Sequence, residues 1–181
     1  MTTSKVLLTE PKNQARIQEI RTNTDVEVQV RVRSPRIRRW VVREFNFVTS
    51  QLYLSVNSRE GRALNKKRRL KELLDELSYC VDMLEADTEY YEGAINEEVF
   101  PGISFGLRLV SPAASVIYKC LVRADIACTK LYMSEFNGNL DRDKREKLLE
   151  PVTLALLGIK QFSAGFVPKT AAEMAEELEI G

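Results

Sequence analysis

Two short stretches of the chain alternate between apolar and polar residues, the first strictly and the second as far as Leu109. The first runs from Val26 to Arg33 as VEVQVRVR, and the second runs from Ile103 to Val110 as ISFGLRLV. Such alternation, rich in β-branched side chains, is typical of strands that bury one face. Ser-Pro follows each stretch and favours the start of a helix, because serine caps helix N-termini and proline suits the first helical position. The sequence therefore predicts two strands, each leading directly into a helix.

Most of the remaining chain has the three-to-four-residue apolar spacing of helices. This spacing predicts helices over about 35–56, 62–91, 112–136 and 141–162, the last disturbed at Pro151. Thr170 and Glu173 form a capping box, which predicts a short C-terminal helix within residues 166–181. Residues 1–25 are polar, and we expect them to form a flexible arm that is at most partly docked.

The order of these elements predicts the architecture. Residues 26–92 and 103–162 each read as strand, Ser-Pro, helix, turn and helix, which suggests a tandem strand-helix-helix repeat. A lone strand is unstable, but two antiparallel strands are stable when helices cover their apolar side. We therefore expect a single domain over 26–165, mainly α-helical with one short two-stranded antiparallel β-ribbon. The strands have two possible arrangements, pairing within one chain or between two chains of a homodimer.

The charged residues are unevenly distributed along the chain. The net charge is only +1, but residues 1–72 hold 17 basic and 7 acidic residues, and the rest of the chain holds 10 and 19. Such asymmetry favours a basic face for an anionic partner. The chain has no histidine, which excludes Ser-His-Asp and Cys-His catalysis, and its three cysteines lack the spacing of a zinc site. We therefore expect no enzymatic activity and no cofactor.

Neither a signal peptide nor a membrane-spanning segment is evident in the sequence. No apolar stretch approaches the roughly 20 residues needed to cross a bilayer, and the first residues lack a long apolar run. We therefore expect a cytoplasmic protein without a membrane partner.

The polar face of the first strand carries candidate DNA-reading side chains. Gln29, Arg31 and Arg33 suit base edges, because an amide pairs with adenine and a guanidinium group pairs with guanine. A further set of arginines is suited to phosphates: Arg36, Arg38, Arg39 and Arg108. The same side chains are also compatible with a solvated edge strand, or with ion pairs to Glu27, Glu44 or the acidic second half of the chain.

This combination resembles the ribbon-helix-helix DNA-binding fold. In that fold, paired strands enter the major groove of double-stranded DNA and their outward side chains read base edges. The resemblance implies that Gln29, Arg31 and Arg33 specify sequence. The predicted helices are longer than those of the family, and the second strand has only Arg108 on its polar face, so the ribbon would read asymmetrically.

A second resemblance covers Phe105 to Phe162. It consists of a strand ending in Ser-Pro, a helix carrying Asp125, and Leu-Asp-Arg at 140–142 before a Leu-Leu helix. This pattern is similar to the AcaB-like transcriptional activators of conjugative plasmids and integrating conjugative elements. The resemblance implies control of conjugative transfer genes, with a homodimer and contacts to other transcription regulators or RNA polymerase as further expectations. The alternative interpretation is a non-catalytic helical scaffold that docks an acidic protein partner.

Overall fold

The computed structural model describes residues 8–20, 22, 25–57, 63–91 and 94–165. Two strands are present in these ranges, β1 (Val26–Val32) and β2 (Ile103–Leu109). The helices, in chain order, are α1 (Gln14–Gln18), α2 (Pro35–Arg43), α3 (Phe45–Asn57), α4 (Ala63–Thr88), α5 (Pro112–Phe136) and α6 (Arg142–Ser163). The predicted C-terminal helix in 166–181 lies outside the described residues.

The two strands pair antiparallel within one chain, so Val26 lies opposite Leu109 and Val32 lies opposite Ile103. The inward-facing side chains Val30, Val32, Phe105, Leu107 and Leu109 are buried, and the polar positions between them face outward. The prediction of a mainly helical protein with one short antiparallel ribbon is therefore confirmed. The sequence is compatible with strand pairing within one chain or between two chains, and in the structure β1 and β2 pair within one chain.

The helix starts predicted from Ser-Pro and from Asp141 are present. The hydroxyl of Ser34 accepts a hydrogen bond from the Ile37 backbone N–H at 3.3 Å, and Ser111 does the same for Ala114 at 3.2 Å. The carboxylate of Asp141 accepts from the Lys144 backbone N–H at 2.7 Å. Each cap satisfies a backbone donor that the first helical turn leaves unpaired. Pro151 does not end α6, which continues to Ser163.

The single helix predicted over 35–56 is wrong, because the structure breaks it at Glu44 into α2 and α3. The carbonyl oxygen of Val42 accepts a hydrogen bond from the backbone N–H of Lys12 at 2.8 Å. In an uninterrupted helix that carbonyl would pair with the backbone N–H of Asn46. The side-chain amide of Asn46 adds a second contact, because its Nδ2 donates to the carbonyl oxygen of Lys12 at 3.1 Å. The N-terminal segment thus occupies the break and satisfies its polar groups.

The described part of residues 1–25 packs against the rest of the protein. Ile17 and Ile20 are buried in a small cluster with Val110, beside the partly buried Tyr53. The backbone N–H of Thr9 donates to the carbonyl oxygen of Ser104 at 2.8 Å, on the edge of β2 away from β1. Residues 8–20 therefore flank the ribbon, which restricts access to part of it.

The main core lies between the apolar face of the ribbon and the helices. Helix α4 packs along both α5 and α6, and α2 and α3 close the remaining side. Phe45, Phe105, Ile117, Leu131 and Leu149 are among the fully buried large side chains of this core. Burying each large side chain contributes roughly 1.5–3 kcal/mol, so the ribbon is held on a rigid support. Within the described ranges, no helix is long and apolar enough to cross a membrane.

Candidate nucleic-acid interface

The outward face of the ribbon presents Gln29 and Arg31 to solvent. Gln29 lies opposite Gly106 and Arg31 lies opposite Ser104, so each long side chain faces a small residue on the neighbouring strand. Both residues are exposed. Both side chains are therefore on the outward face of the ribbon, the face on which the alternation in the sequence places them.

The guanidinium groups of Arg31 and Arg33 converge on one carboxylate. Nη2 of Arg31 donates to Oε2 of Glu97 at 2.7 Å, and Nη2 of Arg33 donates to Oε1 of Glu97 at 2.6 Å. The hydrogen bond from Arg33 is the main cause that lowers the pKa of Glu97, and the charge of Arg31 adds to it. Glu97 could not be identified from the sequence, because it lies 64 residues beyond Arg33 in a loop with no pattern that pairs it to the strand.

The backbone at the end of β1 is fixed by Asp125, which is buried on α5. Its carboxylate accepts hydrogen bonds from the backbone N–H of Ser34 at 2.8 Å and from that of Arg33 at 3.0 Å. These donors lie where the strand ends and α2 begins, so both would otherwise be left unpaired. The carboxylate therefore holds the junction that joins the ribbon to the arginine-rich first turn of α2. The AcaB-like motif in the sequence singles out Asp125 but gives it no such role.

The three arginines of the first turns of α2 have different surroundings. Arg36 forms an ion pair with Glu146 and donates to the hydroxyl of Thr153 at 3.1 Å, both on α6. Arg38 donates to the carbonyl oxygens of Arg33 at 2.8 Å and of Pro101 at 3.3 Å. Arg39 is exposed, and its side chain has no hydrogen-bond or ion-pair partner in the part of the chain that the structure describes.

Arg108 lies toward the other end of the ribbon and holds the N-terminal segment. Its guanidinium group donates to the carbonyl oxygens of Ile17 at 2.7 Å and Ile20 at 3.0 Å. It also donates to the carboxylate of Asp25 at 2.5 Å. The structure therefore groups Arg31, Arg33 and Arg38 at one end of the ribbon and directs Arg108 away from them, toward α1.

The two ends of the outward face of the ribbon therefore carry different side chains. At the Arg108 end, an open groove of about 410 Å³ separates the outward face from the N-terminal segment and includes Glu10, Gln14, Glu27 and Gln29 in its lining. At the other end, the exposed surface carries the arginines. Glu10 and Glu27 thus lie at one end of this face, and Arg31 and Arg33 with their partner Glu97 lie at the other.

The cysteine and carboxylate side chains that the structure describes are those that would be needed for a metal site. Among the described residues, no group of three or more cysteine, aspartate or glutamate side chains is arranged to hold a metal ion. Cys80, Cys120 and Cys128 are free and buried, as expected for small apolar side chains. Burial raises the pKa of the Cys128 thiol to about 12, and the nearby charge of Asp125 acts in the same direction.

This pKa predicts that the protein loses stability at alkaline pH. Above the ordinary thiol pKa of 9.0, Cys128 ionises in the unfolded chain but stays protonated in the folded one until about pH 12. Between pH 9 and pH 12, ionisation of this thiol should therefore lower the free energy of unfolding by up to about 1.4 kcal/mol per pH unit. Urea denaturation at pH 7, 9 and 10 would measure the slope. The Cys128→Ala variant should lose less stability over the same range, and parallel curves for the two proteins would contradict the prediction.

One solved structure has a similar arrangement of elements. AcaB from uropathogenic E. coli superposes on this chain with a TM-score of 0.64, over 87% of this chain and 86% of AcaB. The chain has the AcaB fold. The sequence identity to AcaB is 14%, so the similarity is one of architecture, and it confirms the AcaB-like fold that the sequence pattern predicts. No family model and no curated protein matches the sequence.

Proposed function

We propose that the chain is a sequence-specific DNA-binding transcriptional regulator that reads the major groove with its β-ribbon. The observation that supports this most is the exposed outward face of the ribbon, where Gln29 and Arg31 project beside the arginine-rich start of α2. A two-stranded ribbon fits the major groove, and amide and guanidinium groups match adenine and guanine there. In this proposal the ribbon acts as it does in ribbon-helix-helix proteins.

The proposed roles differ along the surface. Gln29, Arg31 and Arg33 specify the sequence, and Arg39, which has no partner among the described residues, holds phosphate together with Arg36 and Arg38. Arg36 and Arg38 would exchange an intramolecular acceptor for phosphate. Arg108 would serve by fixing the N-terminal segment beside the ribbon, because its donors already bind that segment.

The proposed target genes and partners are based on the resemblance to AcaB-like activators and on the shared fold. We propose that the chain activates conjugative transfer genes in the cytoplasm, acts as a homodimer and contacts other transcription regulators or RNA polymerase. Nothing in the proposal requires a cofactor or an enzymatic step.

The test is binding to a pool of random duplex DNA about 30 base pairs long across a salt series, followed by sequencing of the retained DNA. We expect a common motif to be enriched and the affinity to fall steeply as salt rises, because bound arginines release counterions from phosphates. Salt-sensitive retention without an enriched motif would refute sequence-specific reading. No retention at low salt would overturn the proposal as a whole.

A second candidate function is supported by a groove of about 440 Å³ between α3, α4 and α5. Its apolar lining includes Leu52, Leu74 and Val116. The exposed Lys67 and Lys71 also line it, and Lys71 pairs with Asp75, so Lys67 is its main basic group. The occupant that fits this chemistry is an acidic amphipathic helix of a protein partner. This is the scaffold function, and the absence of DNA retention in the experiment above would favour it.

A further inference from the structure

We propose that Glu97 is an intramolecular competitor for DNA, which holds the guanidinium groups of Arg31 and Arg33 until nucleic acid displaces it. This inference rests on the proposed function and concerns the control of the same site. The carboxylate of Glu97 offers two oxygens to these two guanidinium groups, and the O6 and N7 atoms of guanine are acceptors for the same donors. Binding to DNA therefore exchanges the carboxylate for acceptors on the bases instead of engaging free arginines.

The turn that carries Glu97 is built by local hydrogen bonds. The side-chain oxygen of Asn96 accepts from the backbone N–H of Glu98 at 2.9 Å, and the backbone oxygen of Asn96 accepts from Val99 at 3.2 Å and Phe100 at 3.0 Å. Such a turn, in which a side chain bonds to the backbone two residues on, restricts the conformations of the loop. Glu97 is therefore presented by a defined turn.

The same loop is attached to two other elements of the protein, α5 and α2. The ring of Phe100 packs against that of Tyr132 on α5, with centroids 6.0 Å apart. The carbonyl oxygen of Pro101 accepts from Arg38 at 3.3 Å, and Arg38 also binds the backbone oxygen of Arg33. The position of Glu97 relative to the ribbon is thus fixed by contacts to α5 and α2.

Gly102 completes the arrangement by leaving space for Arg31. A Cβ atom at this position would lie 2.4 Å from Nε of Arg31 and 2.6 Å from its Cγ. Only glycine allows the arginine side chain to lie over the loop backbone and reach Glu97 in this conformation. The close approach, the turn and the two attachments together distinguish this contact from an incidental surface ion pair, which contributes little by itself.

The experiment compares the full-length Glu97→Gln variant with the wild type for binding to duplex DNA by fluorescence anisotropy, at 50 and 200 mM salt. Glu98→Gln is the matched control, because Glu98 is the exposed neighbour whose side chain pairs with none of these arginines. Glu97→Gln should tighten binding about fivefold at low salt, with a smaller gain at high salt, and Glu98→Gln should change it less than twofold.

The gain must depend on the arginines that Glu97 holds. In a variant that already carries Arg31→Ala and Arg33→Ala, Glu97→Gln should no longer improve binding. If Glu97→Gln improves binding in that variant as much as it does in the wild type, the inference is overturned. Equal gains from Glu97→Gln and Glu98→Gln would overturn it too, since they would indicate general charge repulsion. If the wild type binds DNA and Glu97→Gln binds equally well, the inference fails and the proposed function stands. If neither protein binds DNA at low salt, the proposed function itself fails.

Discussion

The Asp125→Ala variant is expected to lose about 3–5 kcal/mol of its free energy of unfolding. The substitution removes the acceptor of two backbone N–H groups, those of Arg33 and Ser34, at a junction where Ser34 is fully buried. A hydrogen bond to a charged group contributes about 1.5–3 kcal/mol, and a buried donor left unpaired costs about 1–3 kcal/mol more. Urea denaturation followed by far-ultraviolet circular dichroism would measure the loss.

Asp141→Ala is the matched control for this prediction. Asp141 also accepts a hydrogen bond from a backbone N–H, that of Lys144, but it is exposed at the start of α6. Because water replaces the lost acceptor there, its loss should lower stability by only about 1 kcal/mol, as for other helix caps. Equal losses for the two variants would show that the buried junction has no special role in stability.

The second large effect concerns DNA recognition. Arg31→Ala should weaken binding to the selected sequence by roughly 1–3 kcal/mol and relax the preference at one base position. The folded state should be unaffected, because about half of the Arg31 side chain is exposed and its ion pair with Glu97 is on the surface. Binding to the selected duplex, and to a set with every single base change, would measure both effects.

Two further arginines on α2 serve as comparisons for Arg31. Arg39→Ala should weaken all sequences alike and reduce the salt dependence, because its proposed contact is to phosphate. Arg43→Ala removes an exposed charge at the end of α2 and should have little effect on specificity. If Arg31→Ala weakens every sequence equally, the ribbon binds the DNA backbone and does not read its bases.

Local features of the fold could be predicted from the sequence because they depend on neighbouring residues. The alternation in both strands and the caps at Ser34, Ser111 and Asp141 are each set within a few positions. The break at Glu44 could not be predicted in this way, since it accompanies a hydrogen bond between Lys12 and Val42 that joins distant parts of the chain. Residue spacing in α2 and α3 carries no sign of that contact.

The same distinction between local pattern and long-range contact applies to the candidate site. The sequence identifies residue types suited to DNA, such as Gln29 and Arg31, because the strand pattern shows which side chains face outward. It does not identify the partners of those side chains, because Glu97 and Asp125 come from a distant loop and helix. The direction of Arg108 toward α1 likewise depends on how the N-terminal segment packs.

The pairing of β1 with β2 inside one chain has a consequence for the symmetry of the proposed DNA site. A ribbon of two identical strands has a twofold axis and treats both directions along a duplex alike. Here Glu27 and Gln29 of β1 take the places that Ser104 and Gly106 have in β2, and only Arg31 and Arg108 match. A single ribbon inserted in the groove would therefore sit in one orientation only. Each ribbon of the proposed homodimer would therefore read a half-site that is itself directional, and the dimer would set how the two half-sites are arranged.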